Sequence, residues 1–394
     1  MKLLTFTTLY PNAVRPNQAI FVETRLRHLV ASGQAESRVV APVPWFPFTS
    51  KHFGVYGDYA RVPAAETRSG IQVLHPRYPV IPKIGMRATP FLLERASRAS
   101  IGRLLDEGYD FDLIDAHYFY PDGVAAVGLG KYFNKPVVVT ARGSDISLIP
   151  QYPGPRKRIQ WAAAKADAMI TVCNALKDEL VALGADAGRI TPLRNGVDLQ
   201  RFQPGPRAEL RAALGLTGYV LLSVGHLVTL KGHDLAIGAL VHLPDVTLMI
   251  AGGGVEATRL AALAAQLGVA PRVRFLGPVP QADLPRYYGA ADALVLASSR
   301  EGWANVLLEA MACGTPVVAS RVWGTPEVVA SADAGVLMNE RSAAGVAAGV
   351  DALRAAPPER AATRRYAEQF SWDATTAGQL ALFGKVLDAR GPAR

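Results

Sequence analysis

A strand–loop–helix–strand pattern in the last third of the chain constrains the fold more than any other feature of the sequence. It opens with an apolar run at 293–297, which predicts a buried parallel strand, and continues through a polar turn at 298–302. Apolar side chains then recur at helical spacing over Asn305–Ala312, and Gly314 ends this predicted helix before a second strand, Val317–Ser320. The pattern is typical of an α/β domain built on a parallel sheet.

Two glutamates mark this pattern, Glu301 in the loop and Glu309 inside the helix. The first turn of the helix has free N–H groups and a positive dipole end, so it can hold a phosphate group. A phosphate site between two carboxylates that bind hydroxyl groups would suit a sugar nucleotide. Read from spacing alone, the same residues can also be two solvated glutamates beside an ordinary helix.

Residues 301–312 and 314–320 resemble the E-x7-E signature of the retaining family 4 glycosyltransferases. The resemblance implies an α/β fold of the GT-B type, with two Rossmann-like domains whose parallel sheets face each other across a cleft. In that family the first glutamate holds the hydroxyls of the donor sugar and the second holds the ribose. These roles are expected for Glu301 and Glu309, with Trp303, Ala304 and Asn305 also contacting the donor.

The length of 394 residues exceeds the usual size of one hydrophobic core, so two domains are expected. The Asn195-Gly196 turn resembles the interdomain linker of the family. We expect an acceptor domain at 1–196, completed by a crossover helix near 372–390, and a nucleotide-sugar donor domain at 197–371.

Composition excludes several classes of protein. The only cysteines, Cys173 and Cys313, lie far apart in apolar segments, which excludes a disulfide scaffold and favours the cytoplasm. The sequence has no apolar run of about 18 residues that would span a membrane, and its N-terminus is expected to be a strand, not a signal peptide. The net charge of +9 suits anionic ligands, and no nucleic-acid-binding motif accompanies it.

A second strand-to-helix loop carries a candidate diphosphate clamp. The apolar run Tyr219–Val224 predicts a strand, and it leads into Gly225, His226 and, after a short loop, Lys231. Glycine allows a ligand to approach the backbone, and lysine supplies a mobile positive charge. Relatives typically have arginine where His226 stands, so either Lys231 stabilises most of the phosphate charge or His226 is protonated when the donor is bound.

Residues 252–257 satisfy the dinucleotide pattern G-x-G-x-x-A, which is the strongest argument for an oxidoreductase. The acidic residue expected about 20 positions later is missing, and Arg274 stands near that position. We interpret these glycines as a strand-to-helix turn at the edge of the cleft. The following segment, with Gly277 and Val279, resembles the family's base-binding segment.

In the first half, His117 follows a predicted strand, at the end where ligands bind in open α/β sheets. It matches the family's histidine beside the donor sugar. Arg142 stands where relatives usually have histidine, and the loop ending at Asn17 stands where many relatives have two glycines, so both are candidates for contacts with the acceptor or a phosphate. The D-x-D tripeptide at 110–112 is interpreted as the start of a strand, not as a metal site.

Two basic clusters remain in the first half. A predicted helix at 86–106 carries four arginines among apolar side chains, and residues 156–158 are Arg-Lys-Arg. Both fit ordinary solvated helices. The alternative is a peripheral contact with an anionic membrane surface near the acceptor.

The leading hypothesis is a metal-independent retaining glycosyltransferase of the hexosyltransferase type, without a tightly bound cofactor. It would move a sugar from a nucleotide diphosphate, UDP or GDP before others, to a hydroxyl of a glycan or lipid-linked acceptor in envelope or exopolysaccharide synthesis. His117, Glu301 and Lys231 are the expected catalytic residues. The alternatives are a sugar-nucleotide 2-epimerase of the same fold, a dinucleotide oxidoreductase and a non-catalytic sugar-nucleotide binder.

Overall fold

The computed structural model describes residues 1–80 and 85–391. The chain divides into two compact units, the first formed by Met1–Arg194 with Asp373–Arg394 and the second by Asn195–Trp372. The division falls at the Asn195-Gly196 turn, two residues before the boundary that the sequence suggested.

The described residues of the first unit form ten strands and seven helices, followed at the end of the chain by one long helix. The strands are β1 Lys2–Phe6, β2 Glu36–Val40, β3 Val43–Pro44, β4 Ala65–Arg68, β5 Ile71–Leu74, β6 Arg77–Tyr78, β7 Leu113–His117, β8 Val137–Ala141, β9 Ala168–Thr171 and β10 Ile190–Pro192. The helices are α1 Ile20–Ala31, α2 Val55–Arg61, α3 Gly85–Asp106, α4 Val124–Phe133, α5 Ser144–Ser147, α6 Pro153–Lys165 and α7 Asn174–Ala182.

Eight of these strands form one sheet in the described chain, in the order β10-β9-β8-β7-β1-β2-β5-β4. All neighbours are parallel except β4 and β5. Strands β7 and β8 are buried along their whole length, because helices cover both faces of a parallel sheet. The sequence of β8 is accordingly an almost continuous apolar run, whereas β7 carries the buried polar residues Asp115 and His117. The strand order reverses between β1 and β7, and ligands bind at such a switch point in open α/β sheets.

The described residues of the second unit form six strands and eight helices. The strands are β11 Tyr219–Val224, β12 Val246–Ala251, β13 Val273–Gly277, β14 Ala293–Leu296, β15 Val317–Ser320 and β16 Gly335–Met338. The helices are α8 Arg207–Ala213, α9 His233–Ala239, α10 Ala257–Gln266, α11 Leu284–Ala290, α12 Asn305–Ala312, α13 Thr325–Val328, α14 Ala343–Ala355 and α15 Arg360–Glu368.

The last helix, α16, spans Trp372–Arg390 and belongs to the first unit from Asp373 onward. Its Phe383 and Val386 lie in the hydrophobic core of that unit, together with Leu26 of α1 and Ile170 of β9. Helix α16 therefore packs into the same hydrophobic core as α1 and β9.

The sheet of the second unit has the order β13-β12-β11-β14-β15-β16, and every pair is parallel. Numbered within the unit, this is 3-2-1-4-5-6, the order of nucleotide-binding doubly wound domains. The order reverses between β11 and β14, so the loops after these two strands flank the switch point. These are the two loops that carry Lys231 and Glu301.

In the part of the chain that the structure describes, no helix is both long and apolar enough to cross a bilayer.

Candidate active site

The loops after β11 and β14 meet at the switch point of the second unit. The Lys231 Nζ atom donates a hydrogen bond to Glu301 Oε1 at 2.6 Å. Ser298, which follows β14 and is buried, donates its hydroxyl to the same oxygen at 2.7 Å. The Lys231 side chain is 23% exposed and the Glu301 side chain 10% exposed, so the pair is largely removed from solvent.

Glycines bring the two loops close enough for this pairing. Gly232, directly after Lys231, has φ +68°, and a Cβ there would lie 2.1 Å from the Ala297 carbonyl oxygen. A Cβ on Gly252 would lie 1.8 Å from the Gly225 carbonyl oxygen, and Gly252 has φ +157°. Only glycine fits either position without moving backbone. The glycines of the G-x-G-x-x-A pattern therefore let the loop after β12 pack against the loop after β11.

A histidine for which the sequence suggested no role fixes the Gly225 loop. His233 is 2% exposed, and its two ring nitrogens lie 2.9 Å from Ser223 Oγ and 3.3 Å from the His226 carbonyl oxygen. Burial lowers its pKa below the usual range, so the ring is neutral. A neutral ring can donate Nε2–H to the carbonyl of His226 and accept from Ser223. The His226 side chain itself is exposed.

Helix α12 begins beside Glu301, as the sequence predicted, and spans Asn305–Ala312. Its N-cap residue is Ala304, whose methyl group cannot accept a hydrogen bond from the first turn. The Asn305 amide already donates to the Trp303 carbonyl at 3.1 Å and the Leu307 amide to the Ala304 carbonyl at 3.0 Å, so an anion bound at this turn would compete with these two bonds. The Asn305 side chain accepts a hydrogen bond from the Asn195 amide at 3.3 Å, and the Trp303 ring packs near Phe370 with centroids 6.1 Å apart.

Glu309 lies one turn further along α12 and is 7% exposed. Tyr288 donates its hydroxyl to Glu309 Oε2 at 2.8 Å, and the Gln281 amide donates to Oε1 at 3.1 Å. Burial raises the pKa of this carboxyl above its usual range, although both hydrogen bonds favour the ionised form. The structure therefore adds two partners that the sequence gave no reason to expect. Each carboxylate oxygen keeps a further lone pair for a ligand hydroxyl.

The remaining predicted donor contacts, Gly277 and Val279, lie at and just beyond the end of β13. The Gly277 carbonyl accepts a hydrogen bond from the Gly252 amide at 2.8 Å, which ties the base segment to the glycine turn. Val279 is half-buried. The predicted donor residues of the second unit other than Glu309 thus lie at or after the carboxyl ends of β11, β13 and β14, and Glu309 lies within α12.

In the first unit, His117 ends β7 and is 1% exposed. Arg142 Nη2 donates to His117 Nδ1 at 2.5 Å, so the proton of the neutral ring is on Nε2, which lies 3.2 Å from Asp115 Oδ2. The pKa of His117 is lowered to about 4, mainly by burial; Asp115 opposes the shift and Arg142 contributes to it. The ring is therefore neutral at pH 7, with both nitrogens bound by the protein, and a contact with a ligand would require one of these bonds to open.

Arg142 lies inside the unit, not on its surface. Its side chain is buried, and this burial lowers its pKa to about 9, with Arg25 as a further cause. The loop around it is held by Asp145, whose carboxylate accepts hydrogen bonds from the amides of Arg142, Gly143 and Phe119. Arg142 is thus positioned to orient His117. Asn17 lies on the surface, in the turn before α1.

A buried carboxylate at the switch point of the first unit was missed by the sequence reasoning. Asp122 is 0% exposed and accepts hydrogen bonds from the Thr7 hydroxyl at 3.0 Å and from the Thr8 amide at 2.6 Å. Burial raises its pKa to about 7, and the hydrogen bonds from Thr8 and Thr7 oppose the shift. The only sequence signal is its place after β7. It fixes the loop that follows β1.

The D-x-D tripeptide forms structural contacts. Lys135 donates to Asp110 Oδ1 at 2.6 Å, the Lys2 amide donates to Asp112 Oδ2 at 2.7 Å, and Phe111 is buried. Within residues 1–80 and 85–391, no group of three or more His, Cys, Asp or Glu side chains is arranged to hold a metal ion.

Two family models match the sequence, one to each half of the chain. The model "Glycosyltransferase Family 4" matches residues 55–201, and the model "Glycosyl transferases group 1" matches residues 207–370. The chain is also 35% identical over 300 residues to a D-inositol 3-phosphate glycosyltransferase of Mycobacterium sp. (strain KMS), which corresponds to 72% of this chain and 68% of the relative.

Solved structures show the same fold. Sucrose-phosphate synthase from Thermosynechococcus elongatus superposes with a TM-score of 0.83 at 22% identity, over 98% of this chain and 99% of the other. Anabaena HepE in complex with UDP superposes with a TM-score of 0.73 at 20% identity, over 98% of this chain and 100% of the other. The predicted fold class, an α/β GT-B fold with parallel sheets in two domains, is confirmed.

Proposed function

Because the chain belongs to the glycosyltransferases described by the family 4 and group 1 models, we propose that it transfers a hexosyl group from a nucleoside diphosphate sugar to an acceptor hydroxyl, with retention. The proposed donor is a UDP-sugar, with a GDP-sugar as the nearest alternative. The support for UDP is that HepE, which shares the fold, binds UDP and UDP-glucose.

The observation that carries this proposal is the Lys231–Glu301 pair at the switch point, beside the uncapped start of α12. A lysine ammonium has three N–H donors, so it can keep its bond to Glu301 and still donate to a diphosphate. The start of α12 adds a positive dipole end for the same anion. A leaving diphosphate placed here would have its developing charge stabilised by groups that are already in position.

The two carboxylates then have separate roles. Glu301, held by Ser298 and Lys231, presents its remaining oxygen to the hydroxyls of the donor sugar. Glu309, held by Tyr288 and Gln281, is proposed to accept from the ribose hydroxyls. We assign neither as a nucleophile. The leaving phosphate itself would take the proton from the acceptor hydroxyl.

For the acceptor we propose the first unit, with a hydroxyl of a glycan or lipid-linked sugar as its substrate, in cell-envelope or exopolysaccharide synthesis in the cytoplasm. The name of the mycobacterial relative adds an inositol phosphate to the candidate acceptors. His117 and Arg142 would lie on this side of the reaction, and the neutral ring could form one hydrogen bond with the acceptor once its bond to Arg142 or to Asp115 opens.

A two-stage assay tests the proposal. A thermal-shift screen with UDP, GDP, ADP and dTDP sugars identifies the donor, and release of the nucleoside diphosphate is then followed with and without acceptor pools. We expect one donor to raise the melting temperature and to be turned over, and Lys231→Ala and Glu309→Ala to lose both effects. Variants that match wild type with every active donor would refute the assignment of the site.

The same incubations separate the alternatives. An epimerase would convert UDP-N-acetylglucosamine to an isomer in the absence of acceptor. Tight donor binding without turnover on any acceptor would favour a non-catalytic binder, and stabilisation by NAD(H) an oxidoreductase.

A further inference from the structure

A cavity in the first unit brings the two basic clusters of the sequence together. It is lined by Arg87 of α3 and by four residues of α6: Pro153, Gly154, Lys157 and Arg158. Its volume is about 300 Å³, at the lower end of the range for small-molecule sites.

All charged residues in the lining of the cavity are positive. Three of its five lining residues are cations and none is an acid. Within the described residues, none of the three cations forms an ion pair with a carboxylate. Other arginines of this unit do, for instance Arg98 with Glu94 and Arg68 with Glu23. Like charges held around one cavity repel each other, and a bound anion removes that cost.

The backbone adds to the positive potential. Helix α6 is 13 residues long and begins at Pro153, so its positive dipole end lies at the cavity. A Cβ on Gly154 would stand 3.4 Å from Arg87 Nε, so the Arg87 guanidinium lies close to the first turn of the helix. Arg87 is further fixed through its neighbour, because the Tyr120 hydroxyl donates to the Met86 carbonyl.

The position of the cavity suits an acceptor. Helix α6 follows β8 through α5, and Tyr120 lies in the segment that follows β7. The cavity is therefore at the carboxyl edge of the sheet, where ligands bind in this class of fold.

We propose that this cavity binds a phosphate group on the acceptor, with Arg87, Lys157 and Arg158 as its ligands. The inference rests on the proposed glycosyl transfer, because it names the chemical class of the second substrate. Guanidinium groups bind phosphate oxygens in a bidentate manner and lysine adds a point charge. The phosphate can come from a soluble phosphorylated polyol or from the headgroup of a lipid.

The test measures binding of three probes by titration calorimetry or vesicle sedimentation. They are inorganic phosphate, an inositol monophosphate, and phosphatidylcholine vesicles with and without phosphatidylinositol phosphate. The donor site is filled beforehand with a saturating concentration of the nucleoside diphosphate that the thermal screen identifies, so that the probes cannot bind there. The cavity variant is Lys157→Ala/Arg158→Ala, and the matched control is Arg156→Ala, which removes a neighbouring exposed cation outside the cavity.

We expect the cavity variant to lose at least about tenfold in affinity per cation removed, because hydrogen bonds to charged groups contribute this much. The control should stay within about twofold of wild type. If the cavity variant loses binding of inorganic phosphate or inositol monophosphate, the ligand is a soluble phosphate. If it loses binding only to the vesicles that contain phosphatidylinositol phosphate, the ligand is a lipid headgroup.

The inference is overturned if wild type binds none of the probes, or if the control and the cavity variant weaken equally. Nucleoside diphosphate binding is measured on the same preparations. If wild type binds the nucleoside diphosphate but none of the phosphate probes, this inference is refuted and the proposed function is not. If wild type does not bind the nucleoside diphosphate, the proposed function itself is refuted.

Discussion

The charge of Lys231 offers the sharpest perturbation of the proposed donor site. It is the only lysine between Asn195 and Trp372 in the sequence, so Lys231→Met removes the single ammonium group of the second unit and keeps its apolar stem. A hydrogen bond to a charged group contributes roughly 1.5–3 kcal/mol, so we expect the dissociation constant for UDP to rise about 10- to 150-fold. The upper part of that range is favoured, because Glu301 is only 10% exposed and loses its counter-ion.

Titration calorimetry with UDP measures this effect, and a second substitution separates its two causes. If Lys231 binds the diphosphate directly, Glu301→Gln will not restore affinity in the Lys231→Met background. If Lys231 serves only to neutralise Glu301, the double variant will bind UDP nearly as well as wild type, and that result would refute the reasoning.

The matched control is Arg354→Ala. Arg354 also forms a 2.6 Å ion pair, with Asp245, but that pair lies at the start of β12, at the opposite edge of the same sheet. It should leave UDP affinity unchanged.

Three further predictions concern Glu309, Asp122 and Gly252. Glu309→Gln should weaken UDP binding by about tenfold and leave pyrophosphate binding unchanged in calorimetry, because the carboxylate is proposed to contact the ribose. Asp122→Asn should gain stability relative to wild type as the pH rises from about 4 to 7. The folded wild type holds a proton there that the unfolded chain releases, since the pKa of 3.8 is raised to about 7, and the gain measured by urea unfolding should reach at most about 4 kcal/mol. Gly252→Ala should lower unfolding free energy by about 2–3 kcal/mol or more and weaken UDP binding, because its Cβ would displace the Gly225 carbonyl. The control Gly268→Ala has φ +68° with nothing within 4 Å, so it should cost only about 1 kcal/mol.

Each of these has a contrary outcome. Equal loss of UDP and pyrophosphate would place Glu309 away from the ribose. A stability difference for Asp122→Asn that does not change with pH would mean that the Thr7 and Thr8 hydrogen bonds outweigh burial. Equal losses of unfolding free energy and of UDP affinity in Gly252→Ala and Gly268→Ala would mean that the loop after β12 does not support the Gly225 loop.

Local structure was the part most open to prediction from the sequence. Helix α12 occupies the predicted Asn305–Ala312, because apolar spacing, a glycine after its end and a proline all specify the same boundaries. Strands β11 and β12 also have the predicted bounds, since buried parallel strands are nearly continuous apolar runs. The family resemblance extended this local reading to the GT-B fold.

The non-local contacts could not be predicted. Nothing near Glu309 in the sequence indicates Tyr288 as its partner, because the contact depends on how α11 packs against α12. The burial of His117 and its bonds to Arg142 and Asp115 likewise follow from strand pairing and loop geometry. The cavity lined by Arg87 and Arg158 joins two clusters that had appeared as separate solvated helices.

The site predictions now depend on where a nucleotide binds. A crystal structure of the protein with the nucleoside diphosphate selected by the thermal screen measures this most directly. We predict the diphosphate within hydrogen-bonding distance of Lys231 Nζ and of the first-turn amides of α12, with the ribose hydroxyls at Glu309. A diphosphate bound elsewhere, with Lys231 still paired only to Glu301, would contradict the assignment.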